Sequence, residues 1–183
     1  MARIDFLDPA DASEDVQRVF EVLPAQLNIF KMAAHAEASF RPLLSLGTSI
    51  LGAQELDGKL REFVILLAGK LTPGRYEWTQ HVPIALATGA TQEQIDALDA
   101  ENFDADCFDD VEKDLIAFAV EVIRDVRASD DTFARAKARF SNREIVEIIM
   151  TCGYYMMMAR ITECTDTDID KPVGTLITDA VKR

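Results

Sequence analysis

The chain has 183 residues, of which 49% are hydrophobic and 28% charged, and this predicts one soluble globular domain with a substantial core. Its formal net charge of −13 argues against nucleic acid and anionic membrane surfaces as partners. The apolar runs are shorter than a membrane span, and the first residues lack the apolar region of a signal peptide. The three cysteines have no metal or redox spacing, which predicts free thiols in a reducing cytoplasm.

Glycine and proline are scarce, at 8 and 6 residues, and no run alternates β-branched with polar residues, so we predict an all-α fold. Asp57 is a predicted N-cap, and two pairs, Thr91 with Gln94 and Ser141 with Glu144, predict capping boxes. In chain order the predicted helices cover residues 13–21, 27–35, 40–51, 57–71, 75–88, 91–100, 110–127, 130–139 and 141–163.

The predicted helices over residues 57–71 and 75–88 hold the strongest candidate site. The first is apolar without interruption from Phe63 to Ala68, which is typical of a helix buried on most sides. Glu62 adjoins this run, where a carboxylate is costly unless another group pairs with it. On the second helix Glu77 and His81 are four residues apart and share one face. Two acids and a histidine are therefore expected to converge.

Other segments of the chain bear on the architecture. The acidic segment over residues 96–114 lacks the glycine of a calcium loop and predicts a solvated connector. The helix over residues 141–163 is apolar almost all round, which places it at the centre of the domain or at a subunit interface. One domain is expected over residues 1–171, followed by a C-terminal tail over residues 172–183.

Four segments of the chain form a recognisable set: LREFVIL at 60–66, YEWTQH at 76–81, FSNREIVE at 140–147 and GYY at 153–155. Together they resemble the carboxymuconolactone decarboxylase family, which includes the alkyl hydroperoxidase D-like proteins. The resemblance implies an all-α, alkyl hydroperoxidase D-like helical bundle. It also implies a homo-oligomer, commonly a trimer or hexamer, and a small-molecule substrate.

The peroxidase branch of this family carries a Glu, a C-x-x-C pair and a His on these two helices. In this sequence the outer members correspond to Glu62 and His81, and the two cysteine positions correspond to Gly74 and Glu77. Peroxide reduction needs a thiolate nucleophile and a resolving thiol, and neither position supplies one. The carboxylates around Cys107 are expected to raise its pKa. An alkyl hydroperoxidase-like peroxidase or antioxidant activity is therefore the alternative rather than the main expectation.

The decarboxylase branch uses an acid–base site on a carboxylated lactone and needs no cofactor. The resemblance thus implies a lyase or isomerase that acts on a small oxygenated or carboxylated metabolite. His81 is the predicted general base or acid, Glu62 would fix its tautomer, and Glu77 would be a second proton carrier. Tyr76, Trp78 and Tyr155 are the candidates for lining the substrate pocket.

Alternative interpretations of the same residues remain open. Glu62 has an equally good structural role in an ion pair with an arginine such as Arg61. Glu77 has the alternative of a solvated residue favoured at a helix start. A facial triad of two acids and a histidine would bind a metal, although we expect none. A helical oligomer that binds a ligand without turnover is the non-enzymatic alternative.

Overall fold

The computed structural model describes residues 1–181, and this part of the chain is all α-helical with a single 3₁₀ turn at Pro9–Asp11. Its helices are α1 (Glu14–Val22), α2 (Asn28–Ala33), α3 (Glu37–Ala53), α4 (Gly58–Leu71), α5 (Arg75–Ala87), α6 (Gln92–Asp99), α7 (Asp110–Asp125), α8 (Asp130–Arg139), α9 (Asn142–Cys164) and α10 (Leu176–Val181).

The local signals in the sequence placed most of these helices correctly. The Asp57 side chain accepts hydrogen bonds from two backbone amides at the start of α4, and both predicted capping boxes form. Asp109 and Glu112 form a further capping box that the sequence analysis missed. The tail predicted over residues 172–183 contains α10, and residues 182–183 lie outside the described part of the chain.

The centre of the fold is α4, which is buried without a break from Arg61 to Gly69. It packs against α5, α7 and α9, and the largest fully enclosed side chains come mainly from these helices. The prediction of a helix buried on most sides is confirmed. A smaller apolar cluster joins α1 to the start of α3 through Val16, Phe20 and Phe40.

Helix α9 has one buried and one exposed apolar face. Its inner face, which includes Ile148 and Cys152, packs in the core, whereas four large side chains on the outer face are exposed: Val146, Ile149, Met150 and Met157. Within residues 1–181, α9 alone has the length and hydropathy to cross a bilayer, and half of that apolar window is buried inside the protein. This burial fits a core helix, and only one face of α9 lies at the domain centre.

The acidic segment over residues 96–114 is only partly a connector. Its two ends belong to α6 and α7, and turns occupy most of the stretch between them. Glu112 is buried, where it lies 2.6 Å from Lys59 Nζ and accepts a hydrogen bond from Gln94. The prediction of a solvated segment is wrong for this residue, because a lysine from α4 and an amide from α6 partner the carboxylate.

Candidate active site

The candidate site begins at the junction of α4 and α5. The chain turns sharply after Leu71, and the Gly74 amide donates a 2.7 Å hydrogen bond to the carbonyl of Gly69. A side chain at position 74 has no room, because its Cβ would lie 2.7 Å from both Ala159 Cβ and Glu77 Oε2. The glycine therefore lets α5 lie closely against α4 and α9.

The acid and the histidine meet across this junction. His81 Nδ1 lies 2.8 Å from Glu62 Oε2, and the Glu62 side chain is completely buried. Its other oxygen accepts hydrogen bonds from Arg61 Nε and Nη2, at 3.3 and 3.2 Å. The Glu62 carboxylate thus contacts both a guanidinium and an imidazole. The ion pair with Arg61 and the orientation of His81 are therefore compatible roles of the same side chain.

The second imidazole nitrogen of His81 remains available. Nε2 has no hydrogen-bond partner within residues 1–181, and no fully buried polar side-chain atom in this region lacks a partner, so Nε2 is not sealed in. His81 also lines a cavity. Because a carboxylate only accepts hydrogen bonds, the neutral ring would donate from Nδ1 and present the Nε2 lone pair.

Two tyrosines of α9 continue the wall beside the imidazole. The Tyr155 ring meets His81 edge to face at 4.9 Å between centroids, and Tyr154 meets Tyr155 at 5.3 Å. Burial raises the pKa of Tyr154 to about 12. Burial, followed by the charge of Glu62, holds the pKa of Tyr155 well above its ordinary value. Both hydroxyls are therefore protonated near neutral pH.

Glu77 is buried rather than solvated. Both of its carboxyl oxygens lie 3.3 Å from the Thr162 hydroxyl of α9. Burial raises the pKa of Glu77 to about 7, although the charge of His81 and the Thr162 hydroxyl act in the opposite direction. The interpretation as a surface residue at a helix start is wrong, because α9 covers this turn of α5.

These side chains face a cavity of about 130 Å³. Its walls come from α2, α3, α5, α9 and the C-terminal segment. Helix α4 does not line the cavity, but its Glu62 contacts His81, which does. Most of the lining is apolar and includes Leu27, Phe30, Leu51, Ile84, Met158 and Ile177. A mostly hydrocarbon pocket with a few polar groups is typical of a small-molecule site.

Two of the three side chains expected to line this pocket do so. Tyr76 and Tyr155 lie in the wall, but Trp78 packs against the core and does not line the cavity. The prediction for Trp78 is corrected, because two residues along a helix turn the side chain by about 200° away from Tyr76. Gln80 and Tyr154 also line the cavity, and the sequence analysis did not single them out.

The C-terminal segment forms one side of the cavity, where hydrogen bonds hold it against α5 and α2. Tyr76 donates a 2.5 Å hydrogen bond to Asp170, whose carboxylate also accepts from the Asn28 amide. Gln80 donates to the Asp170 carbonyl. Burial and the bond to Asp170 raise the pKa of Tyr76, so this hydroxyl stays a donor. Ninety-four residues separate Tyr76 from Asp170, which is why local patterns did not reveal the contact.

Comparison with known proteins supports this assignment of the fold. Residues 37–106 match the family model of the carboxymuconolactone decarboxylase family. The matched stretch covers less than half of the chain, so the chain is similar to that family over this part of its length. No curated protein matches the sequence.

Solved structures share the alkyl hydroperoxidase D-like fold. A peroxidase-related protein from Ralstonia eutropha JMP134 has a TM-score of 0.79 and 17% identity, with 92% of each chain covered. One from Silicibacter sp. TM1040 has a TM-score of 0.77, 17% identity and the same coverage. The debrominase Bmp8, in complex with 2,3,4-tribromopyrrole, has a TM-score of 0.74 and 18% identity, with 96% of this chain and 95% of that chain covered. At these identities the likeness establishes the fold.

The chain has no thiol at this cavity. None of its cysteines lines the wall, and burial raises the pKa of Cys152 to about 12. The pKa of Cys107 is also raised, first by burial and then by Glu93, so the predicted direction is confirmed. Within residues 1–181 no three His, Cys, Asp or Glu side chains are grouped to hold a metal ion, so the facial triad has no donor set there.

Gly74→Ala is expected to lower the free energy of unfolding by about 1–3 kcal/mol, because the added Cβ would press on Ala159 and on Glu77. Urea unfolding monitored by circular dichroism measures the change. Gly58→Ala is the matched control: its Cβ would meet its nearest neighbours at an ordinary 3.7 Å, and its expected effect is within about 1 kcal/mol. Equal effects at both positions would contradict the close packing at the junction.

The Glu77→Gln variant is expected to become more stable relative to the native protein as the pH rises. The unfolded carboxyl releases its proton near its ordinary value of 4.5, whereas the folded one holds it to about 7. The native protein therefore loses stability between these pH values, by up to about 3 kcal/mol from this group, and the amide does not. Urea unfolding at about pH 4 and pH 8 tests this. Glu37→Gln, at an exposed position, should show no such trend.

Proposed function

We propose that the protein is an acid–base enzyme, a lyase or isomerase that acts on a small oxygenated metabolite without a cofactor. The observation that carries the proposal is the 2.8 Å contact of His81 Nδ1 with the fully buried Glu62, which leaves Nε2 at an apolar cavity. An imidazole oriented by a carboxylate and open on its other nitrogen is the arrangement of a general base.

Proton transfer in the proposed reaction uses two groups on one helix. Neutral His81 accepts a substrate proton at Nε2, and the buried charge of Glu62 stabilises the imidazolium that forms. Glu77 lines the same cavity, and its pKa of about 7 means that both of its protonation states are populated near neutral pH. Glu77 can therefore return a proton at a second position of the substrate, as an isomerisation or decarboxylation requires.

The alternative function is a peroxidase or antioxidant activity, which the names of two similar structures favour. The absence of a thiol from the cavity wall favours the acid–base enzyme. The deciding experiment screens purified protein against oxygenated metabolites and, separately, against alkyl hydroperoxides with a dithiol reductant. We expect turnover only in the first set. Brisk peroxide consumption that is lost on replacing Cys107, Cys152 or Cys164 would favour the peroxidase.

The same purified protein distinguishes an enzyme from an oligomer that binds a ligand without turnover. In that case no substrate would be converted, and His81→Gln would leave ligand affinity largely unchanged. In the enzyme the same substitution removes turnover, because a glutamine side chain cannot take up a proton.

We also propose that the protein is a cytoplasmic homo-oligomer, a trimer or hexamer, as the family resemblance implies. The exposed apolar residues of α9, including Ile149 and Met150, are the surface that a second copy would cover. The three free cysteines fit a reducing compartment. Light scattering after size-exclusion chromatography is expected to give a trimer or hexamer, and Met150→Lys is expected to shift it toward monomer. A native monomer would contradict the assembly.

A further inference from the structure

The cavity beside His81 has the size of a single ring. Its volume is about 130 Å³, close to the roughly 150 Å³ cavity that accommodates benzene in another protein. Much of the lining is hydrocarbon, with Leu27, Phe30 and Ile177 among the side chains. Such a wall offers hydrophobic burial to a ligand but no hydrogen bonds.

The cavity offers no positive side chain to a ligand. Among residues 1–181 no lysine or arginine lines it, and Arg61 is engaged by Glu62. The ionisable lining groups that carry charge are Glu77, which is negative when deprotonated, and His81, which is positive only when protonated. An anionic ligand would lose its hydration without a dedicated cation in return, which weakens its binding.

Some polar groups of the wall are already hydrogen-bonded inside the protein. Tyr76 donates to Asp170, and the Gln80 amide bonds to the backbone of the C-terminal segment. Within residues 1–181, the Tyr154 and Tyr155 hydroxyls and His81 Nε2 have no hydrogen-bond partner, and none of the three is sealed from the cavity. The three groups belong to rings that contact one another in the order Tyr154, Tyr155, His81, and the two hydroxyls are uncharged donors.

We propose that the cavity takes an uncharged ligand of about one ring in size, hydrocarbon for the most part, with one hydroxyl or carbonyl oxygen at the His81–Tyr155 end. This inference rests on the proposed function for the role of His81 and narrows its substrate class. It removes carboxylated metabolites from the expected substrates and, with them, decarboxylation from the expected reactions.

The test compares two probes that differ by one charge. p-Cresol carries a methyl group where 4-hydroxybenzoate carries a carboxylate, and both carry the ring hydroxyl. Titration of ¹⁵N-labelled protein at about pH 8, followed by amide chemical shifts, is expected to show p-cresol binding about tenfold or more tighter. Equal or tighter binding of 4-hydroxybenzoate would overturn the inference, and so would the absence of binding by both probes at millimolar concentration.

Two variants and a matched control locate the binding and its charge preference. Leu44 lines the cavity, so Leu44→Trp is expected to abolish p-cresol binding, whereas Ser45→Trp at the exposed neighbouring position should not. Glu77→Gln removes the negative charge and is expected to narrow the gap between the probes. If Ser45→Trp weakens binding as much as Leu44→Trp, or if Glu77→Gln leaves the gap unchanged, the inference is wrong.

The binding test can fail without contradicting the proposed function, and the reverse also holds. Probe binding is measured without turnover, so a preference for the anion would overturn the ligand class and leave proton transfer by His81 standing. Conversely, a His81→Gln variant that retained turnover would overturn the proposed function, whatever the probes show.

Discussion

His81→Gln is expected to lower kcat/KM by about 10²- to 10⁴-fold on any substrate of the protein, because the only ring nitrogen open to the cavity is lost. The amide of glutamine can still donate to Glu62, so the fold is expected to survive. Steady-state kinetics together with a circular dichroism melt measures both effects. Turnover within about tenfold of the native value would contradict a proton-transfer role.

The other histidine provides the matched control. His35 is exposed, and its Nε2 lies 2.9 Å from the carbonyl of Asp5, away from the cavity. His35→Gln is expected to leave kcat/KM unchanged within about twofold, which corresponds to less than 0.5 kcal/mol. An equal loss in both variants would point to a general effect of the substitution instead of the site.

Glu62→Ala is expected to lower the free energy of unfolding by about 3–5 kcal/mol, because it leaves the buried guanidinium of Arg61 without its counter-charge. The imidazole of His81 would lose its orienting partner at the same time. Urea unfolding measures the change, with the m-value expected to stay constant if the folded states are equally compact.

An exposed ion pair calibrates this result. Glu14 pairs with Arg18 at 2.9 Å on the surface of α1, and its side chain is 86% exposed. Glu14→Ala is expected to cost less than about 1 kcal/mol, since exposed pairs contribute little. If the two substitutions cost the same, Glu62 is not the buried counter-charge that the structure describes.

Local sequence rules were sufficient for helices α1 to α9 and for the central pair, but not for α10. The apolar run around Phe63 and the N-cap at Asp57 depend on neighbours within one helix, and both are confirmed. Glu62 and His81 are brought together because a short break joins their two helices. Their catalytic roles remain predictions.

The rest of the site depends on contacts that no local pattern contains. Glu77 is buried because Thr162 and the rest of α9 cover it, and that helix begins 65 residues later in the chain. The cavity needs walls from α2, α3 and the C-terminal segment, each remote from α5 in sequence. The prediction for Trp78 was wrong for a different reason. Neighbouring residues on one helix turn point in different directions around the axis, so closeness to Tyr76 in sequence did not place Trp78 at the cavity.

The most direct test of the acid–base site is the tautomer of His81. In ¹⁵N-labelled protein, long-range ¹H–¹⁵N correlation of the imidazole rings identifies the protonated nitrogen at a pH where the ring is neutral. The contact with Glu62 predicts that the proton sits on Nδ1 and that Nε2 carries the lone pair. A proton on Nε2 would leave no base facing the cavity and would contradict the account.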